Sequence, residues 1–416
     1  MISYNQAQEI LDKISGEYKS QTMSCDLSEA VGRICACDVI APISVQPFDN
    51  SAMDGFAVLR SDLTSAGQNS PVFLKKLGII AAGDNINSFK LAAGSCIQVM
   101  TGAQIPEGAD AIVPVEQCFI EGGTENLIRF VSMPSKYAHI RFAGQDFKRG
   151  DFLLHKGQQI ETAHIMPLAV LGIPNIQVFR MPRAVFLATG RELVDDLSAP
   201  LKAGEIYNSN RPYAVAAFKK LGIDCAGSYT IPDDKEYFRR TLTDILSQDI
   251  DIIISSGAVS AGEYDFVKEE LENSGATILY HKVNIKPGKP NLLAQFPNKM
   301  LYFGLPGNPV ATTVGLRFFV YPMVRGMMQM GREKPVFVKA ANRFEKSSFL
   351  RLFLKSKLHI TETGQMEAML MDGQESFMVK PFLCMDSWAV LPEDSGNIEN
   401  GDIIEIYPVF PDRGVF

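Results

Sequence analysis

The chain has no apolar run that approaches the roughly 18 residues needed to cross a bilayer as a helix, so no membrane span is expected. It also lacks a basic excess. Its 40 Lys and Arg face 47 Asp and Glu, a net charge of −7, which argues against broad nucleic-acid binding and leaves only local basic patches. The seven cysteines (Cys25, Cys35, Cys37, Cys96, Cys118, Cys225, Cys384) contain no CxxC pair. Their odd, scattered count points to reduced thiols and a cytoplasmic setting. The five histidines (His139, His155, His164, His281, His359) never fall at metal-ligand spacing, which argues against a zinc site. The opening MISYNQAQEILDKI has no signal-peptide pattern and reads as an amphipathic helix.

The 416 residues are too many for one core, so two to four domains are expected. Residues 1 to about 40 alternate apolar and polar at helical period, up to Pro42. From Ser44 to about Ile140 the texture changes to short β-rich runs such as AIVPVEQCFI, punctuated by Gly and Pro, which reads as a small β domain. TAHIMPLAVLGI predicts one helix capped by Gly172. From about Asn175 strands and helices alternate. RAVFLATG and DIDIIISSG are buried-strand runs. RPYAVAAFKKLG is a helix with Pro212 in its first turn and Gly222 past its end. EYDFVKEELENSG is helical, ATILYHKVNIKPGKP is a strand with a Pro-Gly loop, and VATTVGLRFFVYPMVRGMM is one long helix. This is the signature of parallel βαβ units with helices on both faces of a sheet. After Gly331 strands return, through GDIIEIYPVF, predicting a C-terminal β domain.

Ligands of an open parallel sheet bind beyond the carboxyl ends of its strands. In this chain those ends carry Thr189-Gly190-Arg191-Glu192, the loop SGAVSAGEYD (Ser256 to Asp265), NIKPGKP (Asn284 to Pro290) and GLPGNP. One shared rim would gather Lys286 and Lys289, the carboxylates Glu192 and Asp265, Ser260 and the glycines Gly257 and Gly262. Lysines, a hydroxyl and glycine-rich backbone suit phosphate-like oxygens. Carboxylates among them suit a cation, for which Mg²⁺ is the natural choice. In the turn Pro306-Gly307-Asn308-Pro309 the two prolines fix φ, and Gly307 admits a ligand or a neighbouring loop. That turn is rigid before anything binds, which lowers the cost of ordering it.

The segments SAMDGFAV, MTGAQIPEGADAIVPVE, TGREL, GEIYNSN, SGAVSAGEYDFVK, KPGKP and FGLPGNPV follow one another in this order. Together they resemble the MoeA-type molybdenum insertases, the family that includes the E domain of gephyrin. The resemblance covers nearly the whole chain. It implies that the protein inserts molybdenum into adenylylated molybdopterin, releasing AMP and giving molybdenum cofactor, with Mg²⁺ assisting. It further implies a multidomain α/β plus β fold: a central α/β domain with a mostly parallel sheet (the molybdopterin-binding fold), a small β domain, an extended N-terminal domain and a C-terminal β-barrel-like domain. Laid on this chain, these are residues 1–44 with 141–174 (a discontinuous linker and dimerisation unit), 45–140, 175–331 and 332–416. The expected assembly is a homodimer whose clefts each combine the α/β domain of one subunit with the β domain of the other. Molybdopterin adenylyltransferase and apo-molybdoenzymes are the implied partners.

Carried onto this sequence, the family's functional positions fall on Asp54, Thr101, Glu192, Asp233 and Asp265, and on Lys286, Lys289, Pro306 and Pro309. Asp234 competes with Asp233 for one of these roles. Asp265 and Glu192 suit Mg²⁺ or a pterin N–H. Gly257, Ser260, Gly262, Gly307, Asn308 and Arg351 complete the substrate and oxyanion set. Four positions depart from the family's pattern: Ala258, Arg191, Ala311 and Leu352. They bear on activity and oxyanion preference rather than on the fold. Two other readings compete. A molybdopterin adenylyltransferase shares the glycine-rich loop but is usually one small domain. A non-catalytic dimeric scaffold would be expected to lack the carboxylates that are present here.

Overall fold

The computed structural model describes residues 1–87, 89–120, 126–257 and 266–410. Its centre is a six-stranded sheet in the order Asp224–Ile231, Arg183–Thr189, Ile252–Ser256, Leu301–Leu305, Leu292–Gln295, Thr277–His281. The first four strands run parallel. Leu292–Gln295 is antiparallel to both of its neighbours, so Thr277–His281 points the same way as the parallel four and ends on the same rim. Leu292–Gln295 was not expected from the sequence. It has only four residues and follows directly on the Pro-rich loop, so it carries little strand signal of its own.

Side-chain alternation explains why helices cover both faces. Ala184, Phe186 and Ala188 pack with Ile252, Ile254 and Phe303 against Ala214 and Phe218 of the helix Asn210–Leu221. Val185, Leu187, Ile253 and Tyr302 face the other way, onto Phe238 and Leu242 of the helix Lys235–Leu246 and Leu271 of the helix Val267–Asn273. The helix ends follow local chemistry. Gly222 closes Asn210–Leu221 in the left-handed conformation at φ 70°. The long helix expected after Pro309 runs from Pro309 to Met327, but with one wide turn, Leu316–Val320, ahead of Pro322. A proline has no N–H to donate back along the helix, and a π turn is one way for a helix to absorb that loss.

The N-terminal region differs from the reading of helical period up to Pro42. The only α-helix there is Tyr4–Glu17, started by a reciprocal capping box between Ser3 and Gln6, with a single 3-10 turn at Leu27–Glu29. Thr22–Asp26 is instead a strand, antiparallel to Asn175–Phe179, and Val39–Ile40 pairs with Phe152–Leu154. Pairing partners more than 100 residues away overrode the local pattern. These segments share a core around Cys25, Cys35, Leu154, Leu168, Ile176 and Val178. The first helix packs elsewhere, with Ala7 and Leu11 in the core of the α/β unit. Its Ser15 lies so close to the helix Tyr321–Met327 that a Cβ on Gly326 would stand 2.1 Å from Ser15 Oγ.

Two further sheets flank the centre. One has the order Ala111–Pro114, Gly55–Val58, Ser95–Val99, Val72–Ile80, Leu127–Phe130, Cys118–Ile120. The other closes on itself. Arg351–Ile360, Met366–Leu370, Val336–Ala340, Ile403–Pro408 and Ser387–Leu391 form a five-stranded barrel, because Ser387–Leu391 pairs back onto Arg351–Ile360. Ile285–Lys286 adds to this barrel alongside Arg351 and Leu352, tying the Pro-Gly loop of the central sheet to the barrel. Among the described residues no helix is long and apolar enough to cross a membrane.

Glu270 is buried beneath the helix Lys235–Leu246 and receives a two-pronged hydrogen bond from Arg239 (2.7 and 3.1 Å). Arg239, with Lys235 and Asn273, holds its carboxyl at about 2, below the ordinary 4.5. A depressed carboxylate contributes stability that is complete above the ordinary value and is lost as pH falls through the folded one. Denaturant midpoints measured between pH 5 and 2 should therefore fall less steeply in Glu270→Gln than in the wild type. Parallel curves would remove Glu270 from the acid response.

Candidate active site

The described residues at the carboxyl ends of the sheet's strands converge on one cleft of about 910 Å³. Glu192 enters from the end of Arg183–Thr189, Gly257 from Ile252–Ser256, Lys286 to Lys289 from beyond Thr277–His281, and Pro306 to Pro309 from Leu301–Leu305. Asp233 lines the same cleft beyond the edge strand Asp224–Ile231. The neighbouring carboxylate does something else: Asp234 caps the helix Lys235–Leu246, accepting from Tyr237 N–H at 2.7 Å. The geometry therefore separates two adjacent aspartates that the sequence left open.

The loops fit together through glycine. Gly257 sits at φ 97°, and a Cβ there would lie 2.4 Å from Thr189 Oγ1 and 2.6 Å from Thr189 O. Gly307 lies beside Gly257, where an added Cβ would make ordinary contact at 3.5 Å from Gly257 Cα. The Pro-Gly-Asn-Pro turn thus abuts Gly257, but this contact does not itself require a glycine. Its other contacts hold it still: Asn210 Nδ2 donates to Gly307 O (2.7 Å), Thr312 Oγ1 to Pro306 O (2.6 Å) and Asn308 Nδ2 to Ser376 Oγ (2.9 Å). Pro309 begins the helix Pro309–Gly315, with Asn308 at its N-cap.

Charge in the cleft is mixed. Lys286 and Lys289 are exposed and, among the described residues, make no ion pair. Glu192 and Asp233 supply two carboxylates on the cleft wall. No cluster of three or more His, Cys, Asp or Glu side chains able to hold a metal occurs among the described residues. Ser260, Gly262 and Asp265, and with them Ala258, lie outside the described residues.

Asp54 and Thr101 stand apart on the small β unit and do not line the cleft. They form their own unit: Asp54 Oδ1 accepts from Thr101 N–H (2.6 Å) and Thr101 Oγ1 (2.8 Å). Those bonds, the backbone one first, hold the Asp54 carboxyl below its ordinary value.

Arg351 was grouped with the oxyanion set, but it turns away from the cleft. Its guanidinium bonds Glu393 at 3.2 Å and lies over the Tyr4 ring at 4.6 Å, whereas its neighbour Leu350 is the residue that lines the wall. Of the departures, Ala311 lines the cleft and Leu352 is buried in the barrel core.

The sequence reading missed two contributors. Asn208 and Asn210, within the GEIYNSN segment, line the cleft, and Asn210 reaches Ser256 Oγ (3.4 Å) besides Gly307. The barrel contributes Gln374, Glu375, Ser376 and Phe377. An asparagine beside a motif was a signal that could have been used. The barrel wall had none, since it depends on pairing between distant strands.

Residues 2–172 match the MoeA N-terminal region (domain I and II), and residues 185–326 match a probable molybdopterin binding domain. The molybdopterin molybdenumtransferase of Haemophilus influenzae is 35% identical over 395 residues, covering 94% of this chain and 95% of that protein. That of Synechococcus elongatus is 32% identical, covering 98% and 99%. The crystal structure of a molybdopterin biosynthesis MoeA protein from Pyrococcus horikoshii superposes with a TM-score of 0.83 at 26% identity, covering 98% of this chain and 99% of that one.

Gly257→Ala should cost about 1–3 kcal/mol, because it adds left-handed backbone strain to a clash with Thr189. Chemical denaturation followed on the wild type and variant measures the difference. Equal stability would mean that the loop has room to shift.

Proposed function

The chain belongs to the MoeA family of molybdopterin molybdenumtransferases, and from that premise we propose that it carries out the last step of molybdenum cofactor biosynthesis, inserting molybdenum from molybdate into adenylylated molybdopterin with release of AMP. The observation that carries this reading is the convergence of Glu192, Asp233, Lys286, Lys289 and the Pro306–Pro309 turn on one cleft. The substrate brings a phosphoanhydride and a heteroaromatic ring, and molybdate is a dianion. Two ammonium groups on a stiff loop suit the oxyanions, while two carboxylates suit pterin N–H groups or a cation.

Mg²⁺ binds hard oxygen donors and often takes only one or two carboxylates from the protein, completing its shell with water and substrate phosphate. Glu192 and Asp233 fit that donor chemistry, with Asp265 as a further candidate, and the ion would neutralise phosphate charge in the ground state and in the reaction. The rest falls to the chain. Lys286 and Lys289 bind and orient the anions, and the Pro306–Pro309 turn keeps the wall fixed while they enter.

Asp54 and Thr101 act, in this reading, from a second copy of the chain. Exposed apolar residues support such a partner. Ile40 and its register partner Phe152 are 47% and 58% exposed, and Met166 and Val170, one helical turn apart, are 76% and 52% exposed. A two-fold dimer would cover them and bring the Asp54 unit of one subunit to the cleft of the other. Protein partners are then the enzyme that adenylylates molybdopterin and the apoenzymes that receive the cofactor, in the cytoplasm. The scaffold reading gains no support from a cleft that retains its carboxylates and lysines.

Lys289→Ala should raise the molybdate concentration for half-maximal insertion by about one to two orders of magnitude, since a charged hydrogen bond contributes about 1.5–3 kcal/mol. Thermal stability should barely change. Superimposable titrations at matched ionic strength would show that Lys289 does not hold molybdate. Shared clefts have their own signature. Asp54→Asn and Glu192→Gln should each be nearly inactive, yet co-refolded together they should recover about a quarter of wild-type turnover, because half of the dimers are mixed and each mixed dimer has one intact cleft. No recovery would mean that both residues serve a cleft within one chain.

A further inference from the structure

Lys355 is fully buried on the outer face of the barrel, on the strand Arg351–Ile360, the face it shares with Phe353 and that turns toward the core of the α/β unit. Its Nζ donates to three carbonyls of one short loop: Gly373 at 2.5 Å, Met378 at 2.9 Å and Glu375 at 3.2 Å. An ammonium has three N–H donors, so all are satisfied by that loop. Among the described residues Lys355 forms no ion pair. Burial disfavours the charged form and Glu375 offsets part of that cost, while an apolar side chain would leave the three carbonyls without this donor. What the lysine supplies here is the three-way hold on the loop.

The backbone repeats the clasp. Lys355 N–H donates to Gln374 Oε1 (2.9 Å), and Gln374 Nε2 donates back to Lys355 O (2.9 Å) and to Met371 O (2.7 Å). On its outer side the loop grips the turn of the central sheet, where Ser376 Oγ accepts from Asn308 Nδ2 (2.9 Å) and Ser376 O from Val310 N–H (3.2 Å). Residues 374–377 all line the cleft.

We propose that Lys355 is a positioning residue for the cleft: its ammonium gathers the carbonyls of residues 373–378 so that this loop forms the fixed barrel wall facing the Lys286–Lys289 loop. Lys355 does not touch substrate. It acts through the loop, and the substrate is the one assigned under the proposed function, on which this inference rests.

The first readout needs no substrate. In the wild-type chain, the amides of residues 374–378, Met378 N–H donating to Glu375 O at 3.1 Å among them, should exchange more slowly than those of the exposed turn 362–364. Exchange as fast as at the exposed turn 362–364 would overturn the proposal without any variant. In Lys355→Met those amides should exchange at least tenfold faster while Arg183–Thr189 is unchanged. An unchanged far-UV circular dichroism spectrum would show that the barrel stays folded. In turnover the same variant should raise KM for adenylylated molybdopterin severalfold with a smaller change in kcat, and Lys355→Arg should recover part of the loss. Unchanged exchange, or faster exchange with unchanged KM, would each overturn the positioning role. Absence of turnover in the wild type would instead overturn the functional reading, and exchange alone would then decide for or against the clasp.

Discussion

The cleft depends on strand direction in the central sheet. Leu292–Gln295 runs antiparallel to both Thr277–His281 and Leu301–Leu305, so these two point the same way and end on one rim. That four-residue reversal lets the KPGKP loop and the Pro306–Pro309 turn face the same space. Reversing the outer strand would send Lys286 and Lys289 to the opposite edge, away from Glu192 and Asp233. Close packing at the rim then depends on Gly257, which lets the backbone pass Thr189.

The barrel supplies the other half of the wall, through two connections of different kinds. Ile285–Lys286 extends the barrel by pairing beside Arg351 and Leu352, a backbone link that fixes the loop of the lysines. The 373–378 segment meets Asn308 and Val310 by hydrogen bonds, and Lys355 holds it from beneath. Both connections meet the rim at the cleft.

The mixed charge of the cleft has a physical rationale. Lysines alone would bind any anion, and carboxylates alone would repel phosphate. Set around one space, they favour a ligand that brings anionic oxygens together with hydrogen-bond donors or a metal ion. Asp54 and Thr101 belong to a separate unit in the single chain and do not line the cleft.

What the sequence determined by itself is mostly local. Gly222 and the Ser3–Gln6 box ended or began helices where their chemistry requires, the Ile-rich and Val-rich runs became buried strands, and Pro306 to Pro309 became a stiff strand-to-helix turn. The rim loops were legible for the same reason, since a run of strand ends in a parallel sheet leaves little freedom in where ligands bind. The ordered motifs carried the family. Tertiary structure decided what depends on partners far along the chain. It made Thr22–Asp26 a strand against Asn175–Phe179, assigned Asp234 to a helix cap and Asp233 to the cleft, drew Arg351 to Glu393 and Tyr4, and brought Gln374 to Phe377 into the wall. None of these has a local signature, because each is settled by a register or a contact between segments that meet only once the chain has folded.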